Sequence, residues 1–308
     1  PFAATATTAG VYTLIITQNG CSGLGTTTLV LSPNLPPVIV CPANTTLAAN
    51  ASCSALLGTY APASVSDDCT ANPTVTQSPA ASTVLNGHND VETVTLTAND
   101  GFGNTASCNF TVTLKDVTPP VITCPANTTV AADASCNGTL GVYTPASISD
   151  NCAANPTATQ SPAASTVLSG HNDVETVTLT ANDGNGNMAS CTFTVTLKDV
   201  TPPVITCPAN ATVAADASCN GTVGTHQPLS VSDNCVANPA VTQSPASSTV
   251  LSGHNDVETV TLTANDGNGN SASCSLTVTL KDVTPPSVVC PANVTIAADA
   301  SCSGVLGT

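Results

Sequence analysis

The chain has 308 residues, with 19 acidic residues against three lysines and no arginine, a net charge of −16, and only 2% aromatic residues. Such a charge repels nucleic acid phosphates and anionic lipid headgroups and argues against both as partners, and no run of 18 apolar residues exists to insert into a membrane. Fifteen cysteines without one C-x-x-C point to disulfides rather than zinc, and so to an oxidising place, extracellular or on a cell surface.

In chain order, Gly10–Ser32 reads as a hairpin, and residues 1–34 as the C-terminal hairpin of a preceding, different sandwich domain. Cys21 in that hairpin has no counterpart later in the chain. From residue 35 the sequence repeats every 83 residues without insertion: Cys41, Cys124, Cys207 and Cys290 keep this spacing, and so do Cys53, Cys136, Cys219 and Cys302. Cys69, Cys152 and Cys235 form a third set, and Cys108, Cys191 and Cys274 a fourth. The units are 35–117, 118–200 and 201–283, with the start of another over 284–308. A chain that opens at Pro1 and stops early in a unit reads as a segment of a longer protein. A fixed period with four cysteines per unit means an array of small stapled domains. Catalysis needs its constellation once, so no enzyme is expected. Gly-Asn-Gly-Asn lies between strands rather than ahead of a helix, and so offers phosphate no helix N-terminus.

Within the second unit, Val174–Asp183 alternates Val177, Leu179 and Ala181 on one face with Thr176, Thr178 and Thr180 on the other. Met188–Lys198 does the same, with Cys191, Phe193, Val195 and Leu197 inward. Period-two alternation bounded by Asn, Asp, Gly and Pro predicts half-buried antiparallel strands, and Asn182–Asn187 supplies the turn between them. Shorter strands are predicted at Val121–Cys124, Thr128–Ala132, Thr139–Tyr143, Thr157–Gln160 and Ser165–Leu168. Seven strands per unit and no helical period predict an all-β chain, a tandem array of antiparallel β-sandwiches. Domains this small bury little surface, and two disulfides in each, worth roughly 2–4 kcal/mol apiece, would compensate.

Three phrases recur together: D-x-T-P-P-x-I-x-C-P-A-N at the opening of a unit, S-D-N-C in its middle, and A-N-D-G-N-G-N-x-A-S-C-x-F-T-V-T-L at its close. They resemble the hyalin repeat (HYR) domain, over roughly nine-tenths of the chain. The resemblance implies immunoglobulin-like sandwiches of extracellular, adhesive or matrix proteins, and brings no catalytic residues. In such a sandwich the first and last strands run side by side. Cys124 shares the inward parity of Ile122, and Cys191 that of Val195. The expected bonds are therefore first to fourth, Cys41–Cys108, Cys124–Cys191 and Cys207–Cys274. Members of the family with two cysteines keep this outer pair, which leaves the inner cysteines for each other: Cys53–Cys69, Cys136–Cys152 and Cys219–Cys235. An extended strand between Cys53 and Cys69 would work against this inner bond, because a disulfide needs Cα atoms within about 7 Å.

The same architecture implies that the mid-unit loop (Asp150, Asn151) and the last hairpin turn (Asp183, Asn185) share the pole where the previous domain delivers Asp116; Asp199, Asp233 and Asp266 repeat the set. Carboxylate and amide oxygens from three loops are the ligands Ca²⁺ prefers, although Asp and Asn are also ordinary turn formers. No cofactor is required by the sequence, and Ca²⁺ at the junctions is the candidate. His88, His171 and His254 recur in turns and read as exposed. Lys115, Lys198 and Lys281 end the last strand and read as solvated edge charges rather than isopeptide staples. Sequons at Asn44, Asn127, Asn137, Asn210, Asn220 and Asn293, together with the outward Thr rows, are candidate sites for covalent glycan.

The function expected is a stiff extracellular stalk or filament whose partners are further copies of itself. The rivals are a glycan-gripping adhesin, which 2% aromatics disfavour, and spacer repeats of a larger secreted enzyme. Strands of about nine residues give domains roughly 30–40 Å long. The Thr-Pro-Pro junctions favour extended connections, because proline fixes φ and restricts the residue before it.

Overall fold

The computed structural model describes residues 9–18, 21–29 and 34–304. The end of the expected Gly10–Ser32 hairpin and the last residues of the partial fourth unit lie outside the described residues. The chain divides into two compact units. One comprises Pro1–Ala126, Val142–Pro162 and Val177–Phe193, the other Asn127–Gly141, Ala163–Thr176 and Thr194–Thr308. The division runs through the middle repeat. Among the described residues every regular element is a β-strand, and no helix is long and apolar enough to cross a membrane.

In the first unit β1 (Gly10–Gln18) pairs antiparallel with β2 (Cys21–Leu29) as a hairpin. The first repeat follows with β3 (Val38–Val40), β4 (Thr45–Ala48), β5 (Ser54–Leu56), β6 (Ser64–Ser66), β7 (Thr74–Ser78), β8 (Val84–Asn86), β9 (Val91–Asn99) and β10 (Thr105–Lys115). One sheet has the order β4-β10-β9-β7, and the pairs β3-β6 and β5-β8 complete the sandwich. β9 and β10 are long because their alternation is unbroken. Val94, Leu96 and Ala98 on one, and Phe110, Val112 and Leu114 on the other, are all buried, while the Thr between them face outward. β4 lies parallel to β10, pairing Thr45 with Val112 and Ala48 with Lys115. The ring of Tyr60 meets Phe110 edge-on at 5.1 Å, and Tyr143 meets Phe193 in the same way.

The third repeat, inside the second unit, has the same four-stranded sheet: Ala211–Ala214, Ser271–Lys281, Val257–Asn265 and Ala240–Ser244. Here Leu276 replaces the Phe and His226 the Tyr, and the His226 ring Nε2 donates to the Val223 carbonyl at 3.0 Å. In the middle repeat Thr128–Ala131 pairs with Met188–Lys198, and Thr157–Ser161 with Val174–Asn182.

Among the described residues each of the three complete repeats has eight strands rather than the seven expected. The extra one is Ser147–Ser149 in the middle repeat, three residues long and therefore too short to show alternation. The strand expected at Thr139–Tyr143 lies instead at Asn137–Thr139.

Two disulfides within each domain is the point the structure corrects. Five disulfides join the three repeats among the described residues, and two of them cross from one repeat to the next. Cys41–Cys108, Cys124–Cys191 and Cys207–Cys274 pair within repeats, each with Cα atoms 5.6 Å apart. The inner pairing Cys53–Cys69 does not form: Cys53 bonds Cys152, and Cys136 bonds Cys235. Cys69 and Cys219, like Cys21, Cys290 and Cys302, form no disulfide among the described residues.

The physical reason is the direction of the strands. β4 runs parallel to the last strand and carries Cys53 to the end of the domain where Asp116 leaves. β6 runs antiparallel to β3 and returns the chain to the opposite end, where Cys69 sits on the loop beside Asp67. Sixteen residues of sequence thus separate two cysteines at opposite poles.

Candidate functional site

The junction of the first and second repeats lies wholly inside the first unit, and that of the second and third inside the second unit. At the first, Asp116 arrives at the end of β10, Asp150 stands on the mid-repeat loop, and Asp183 follows the Val174–Asn182 strand. One carboxylate oxygen from each lies within 4.8 Å of the other two. Asp116 and Asp183 are buried, 4% and 7% exposed, and Asp150 is half-buried.

A net of donors fixes these side chains. Asp183 Oδ1 accepts the N–H groups of Asn185 at 2.8 Å and Asn187 at 3.0 Å, and its Oδ2 accepts the Asn187 amide at 2.6 Å. Gly186, at φ 107°, lets the turn close around that carboxylate. Across the junction the Asn185 amide donates to Asp116 Oδ2 at 2.8 Å, and the Asn187 amide to the Asp116 carbonyl at 3.3 Å. Asp150 Oδ1 accepts the N–H groups of Cys152 and Ala153. The Asn151 amide donates to the Asn50 carbonyl of the preceding repeat at 2.9 Å, beside the Cys53–Cys152 bond.

Two oxygens remain over. Asp150 Oδ2 and Asn151 Oδ1 are buried with no hydrogen-bond partner. The chain's only side-chain cations besides histidine are its three lysines, and Lys115 beside Asp116 donates instead to Asn89; it is half-buried and ends β10, an inner strand of its sheet, rather than standing on a sheet edge as expected. Burial pushes the Asp183 carboxyl up. The Asn187 amide and the N–H groups of Asn185 and Asn187 outweigh burial and hold it below the usual carboxylate range, so it stays ionised. The second junction is built alike from Asp199, Asp233 and Asp266, with Asp233 Oδ2 and Asn234 Oδ1 again buried and unpartnered.

Ligands about 2.4 Å from one ion can stand at most about 4.8 Å apart, and oxygen-only donors of high charge suit a hard divalent cation. The carboxylate triplet and its unsatisfied oxygens fit that requirement. The sequence brought Asp116, Asp150, Asn151, Asp183 and Asn185 to this pole, and the structure places all five there. It adds Asn187 and Asn270, which clamp Asp183 and Asp266. Their signal was the last Asn of N-D-G-N-G-N, which recurs as Asn104 in the first repeat.

A third version of the pole stands at the head of the first repeat, with Asn34 in place of an Asp. Its amide donates to Asp100 Oδ2 at 2.7 Å, and Asn34 Oδ1 and Asp67 Oδ1 are buried without partners. Burial raises the Asp100 carboxyl, but N–H groups of Phe102 and Asn104 and the Asn104 and Asn34 amides outweigh it and hold the pKa at about 2.

His88 and His171 are half-buried rather than exposed, whereas His254 is exposed as expected. The Nδ1 of His88, His171 and His254 accepts the N–H of Asp116, Asp199 and Asp282 respectively, at 2.9 Å. They position the carboxylate that leaves each domain. Of the sequons, Asn44, Asn127 and Asn210 are exposed, and each Oδ1 accepts a last-strand N–H, from Thr111, Thr194 and Thr277. Asn137 and Asn220 are half-buried at strand starts, and Asn293 is exposed.

No curated protein matches the chain. Among solved structures it is similar to the protocadherin gamma B2 extracellular cadherin domains 1–5, at 14% identity and TM-score 0.38 over 90% of this chain and 66% of that one. It is also similar to titin domains I67–I69, at 13% identity and TM-score 0.34 over 80% of this chain and 99% of that one. The Sidekick-1 immunoglobulin domains 1–5 match at 14% identity and TM-score 0.33 over 91% of this chain and 68% of that one. Residues 34–114, 115–197 and 198–280 each match the family described as HYR domain, and the chain, matched over most of its length, belongs to that family.

Proposed function

We propose that this chain is a structural segment of an extracellular or surface protein, a stiffened array of HYR domains that works by reach and adhesion rather than by catalysis, with a divalent cation, Ca²⁺, locking each joint. The observation that supports it is the construction of the two joints. Each combines an inter-repeat disulfide, an asparagine clamp and three converging carboxylates on one pattern. A joint meant to swivel has no use for that many constraints. Three carboxylates within 4.8 Å also crowd like charge together, which a cation would neutralise.

Identical joints suit a filament in which copies of the chain associate and every domain advances by the same step. The net charge of −16 opposes random clumping of such copies. The exposed sequons Asn44, Asn127 and Asn210 and the outward Thr rows are the places where covalent glycan would attach.

Small-angle scattering with Ca²⁺ and with a chelator tests the locked joint. The expected result is a maximum dimension that changes, and a melting point that falls, when the ion is removed. An unchanged dimension with an unchanged melting point refutes the cation. Electron micrographs of the native material test the filament: a constant axial rise per domain is expected, and independently hinged beads would overturn it.

A further inference from the structure

The two kinds of disulfide differ in span, 67 residues within a repeat and 99 residues between repeats. The repeat length is 83, so one span falls short of it by 16 residues and the other exceeds it by 16. We propose that these bonds form two separate covalent rails running through the array, so that a cut in the main chain at a joint leaves the repeats bonded together.

The first rail crosses a repeat through Cys41–Cys108, follows 16 residues of chain to Cys124, and crosses the next through Cys124–Cys191. The second crosses a joint through Cys53–Cys152, follows 16 residues of chain backwards to Cys136, and crosses the next joint through Cys136–Cys235. The chain segments used, 108–124 and 136–152, share no residue. Cutting one rail therefore leaves the other whole.

Each rail advances one repeat on 16 residues of contour, roughly 55 Å when fully extended, whereas an unbridged repeat of 83 residues could pay out roughly 290 Å. Tension along the chain thus falls on disulfides and short segments, and unfolding a sandwich releases little length. Cys219 keeps the backbone of the second rail's attachment points: its φ is 59°, against 53° for Cys53 and 56° for Cys136. Gly253 N–H donates to its carbonyl as Gly87 and Gly170 do to theirs.

The lysines make the proposal directly testable, because Lys115, Lys198 and Lys281 are the chain's only ones, and Lys115 and Lys198 interrupt the first rail at the two described joints. The oxidised protein, its thiols alkylated at neutral pH, is digested to completion with a lysine-specific protease in urea and weighed with and without reductant. Without reductant a single species made of residues 1–115, 116–198 and 199–281 is expected, with 282–308 released. With reductant four peptides should appear. In the double variant Cys53→Ser/Cys152→Ser, 1–115 alone should leave the linked species. Four separate peptides from the unreduced wild type, which bonds confined to single repeats would give, would overturn the second rail.

Discussion

Asp150→Asn separates repulsion from ligation at the first joint, because the two effects have opposite signs. Asp150 Oδ1 accepts the N–H groups of Cys152 and Ala153, and an asparagine oxygen keeps both bonds. What is lost is one charge and the unpartnered Oδ2. Three carboxylate oxygens within 4.8 Å make three repulsive pairs, each about 3.5 kcal/mol at an effective dielectric of about 20. Asp150 takes part in two of them. It is half-buried, and solvent and salt reduce the gain from removing it to about 1–3 kcal/mol. With chelator present the variant should therefore melt above the wild type, by roughly 5–15 °C for a domain of this size. With Ca²⁺ the order should reverse. An ion at a hundredfold its dissociation constant adds about 2.7 kcal/mol to the protein that binds it well and less to one missing a ligand. Differential scanning calorimetry in the two buffers reads both arms. The same order of melting points in both would refute a cation at this site, and no difference in chelator would refute the repulsion.

Phe193→Ala should destabilise the middle repeat by about 3–5 kcal/mol, through the cavity left and the lost edge-on contact with Tyr143, as read by denaturant titration. Phe193→Leu, which copies Leu276 of the third repeat, should cost about 1 kcal/mol, and equal losses in the two variants would contradict a packed ring pair. Asp100 has a folded pKa of about 2, below its unfolded value near 3.8, so its contribution to stability is complete above about pH 4 and disappears as pH falls towards 2. Acid melts should show Asp100→Asn losing less stability than the wild type across that window, and parallel curves would speak against it.

The strands were legible because their information is local. Val94, Leu96 and Ala98 alternate with threonine on β9 as period-two burial requires, and the turns between strands carry Asn, Asp and Gly. The meeting of Asp116, Asp150 and Asp183 was legible once an immunoglobulin-like sandwich was assumed, since that architecture assigns loops to poles. Ser147–Ser149 escaped because three residues pair through their neighbours rather than through any pattern of their own. The role of His88 escaped because an acceptor for the Asp116 N–H is a matter of where two loops end in space. The partner of Cys53 could not be read from a periodic chain at all. When the units are nearly the same, a cysteine 16 residues ahead and its copy 99 residues ahead carry closely similar surroundings in the sequence. Only the strand directions decide between them: they hold Cys69 at the far pole and bring Cys152, on the next domain, to a Cα distance of 4.8 Å.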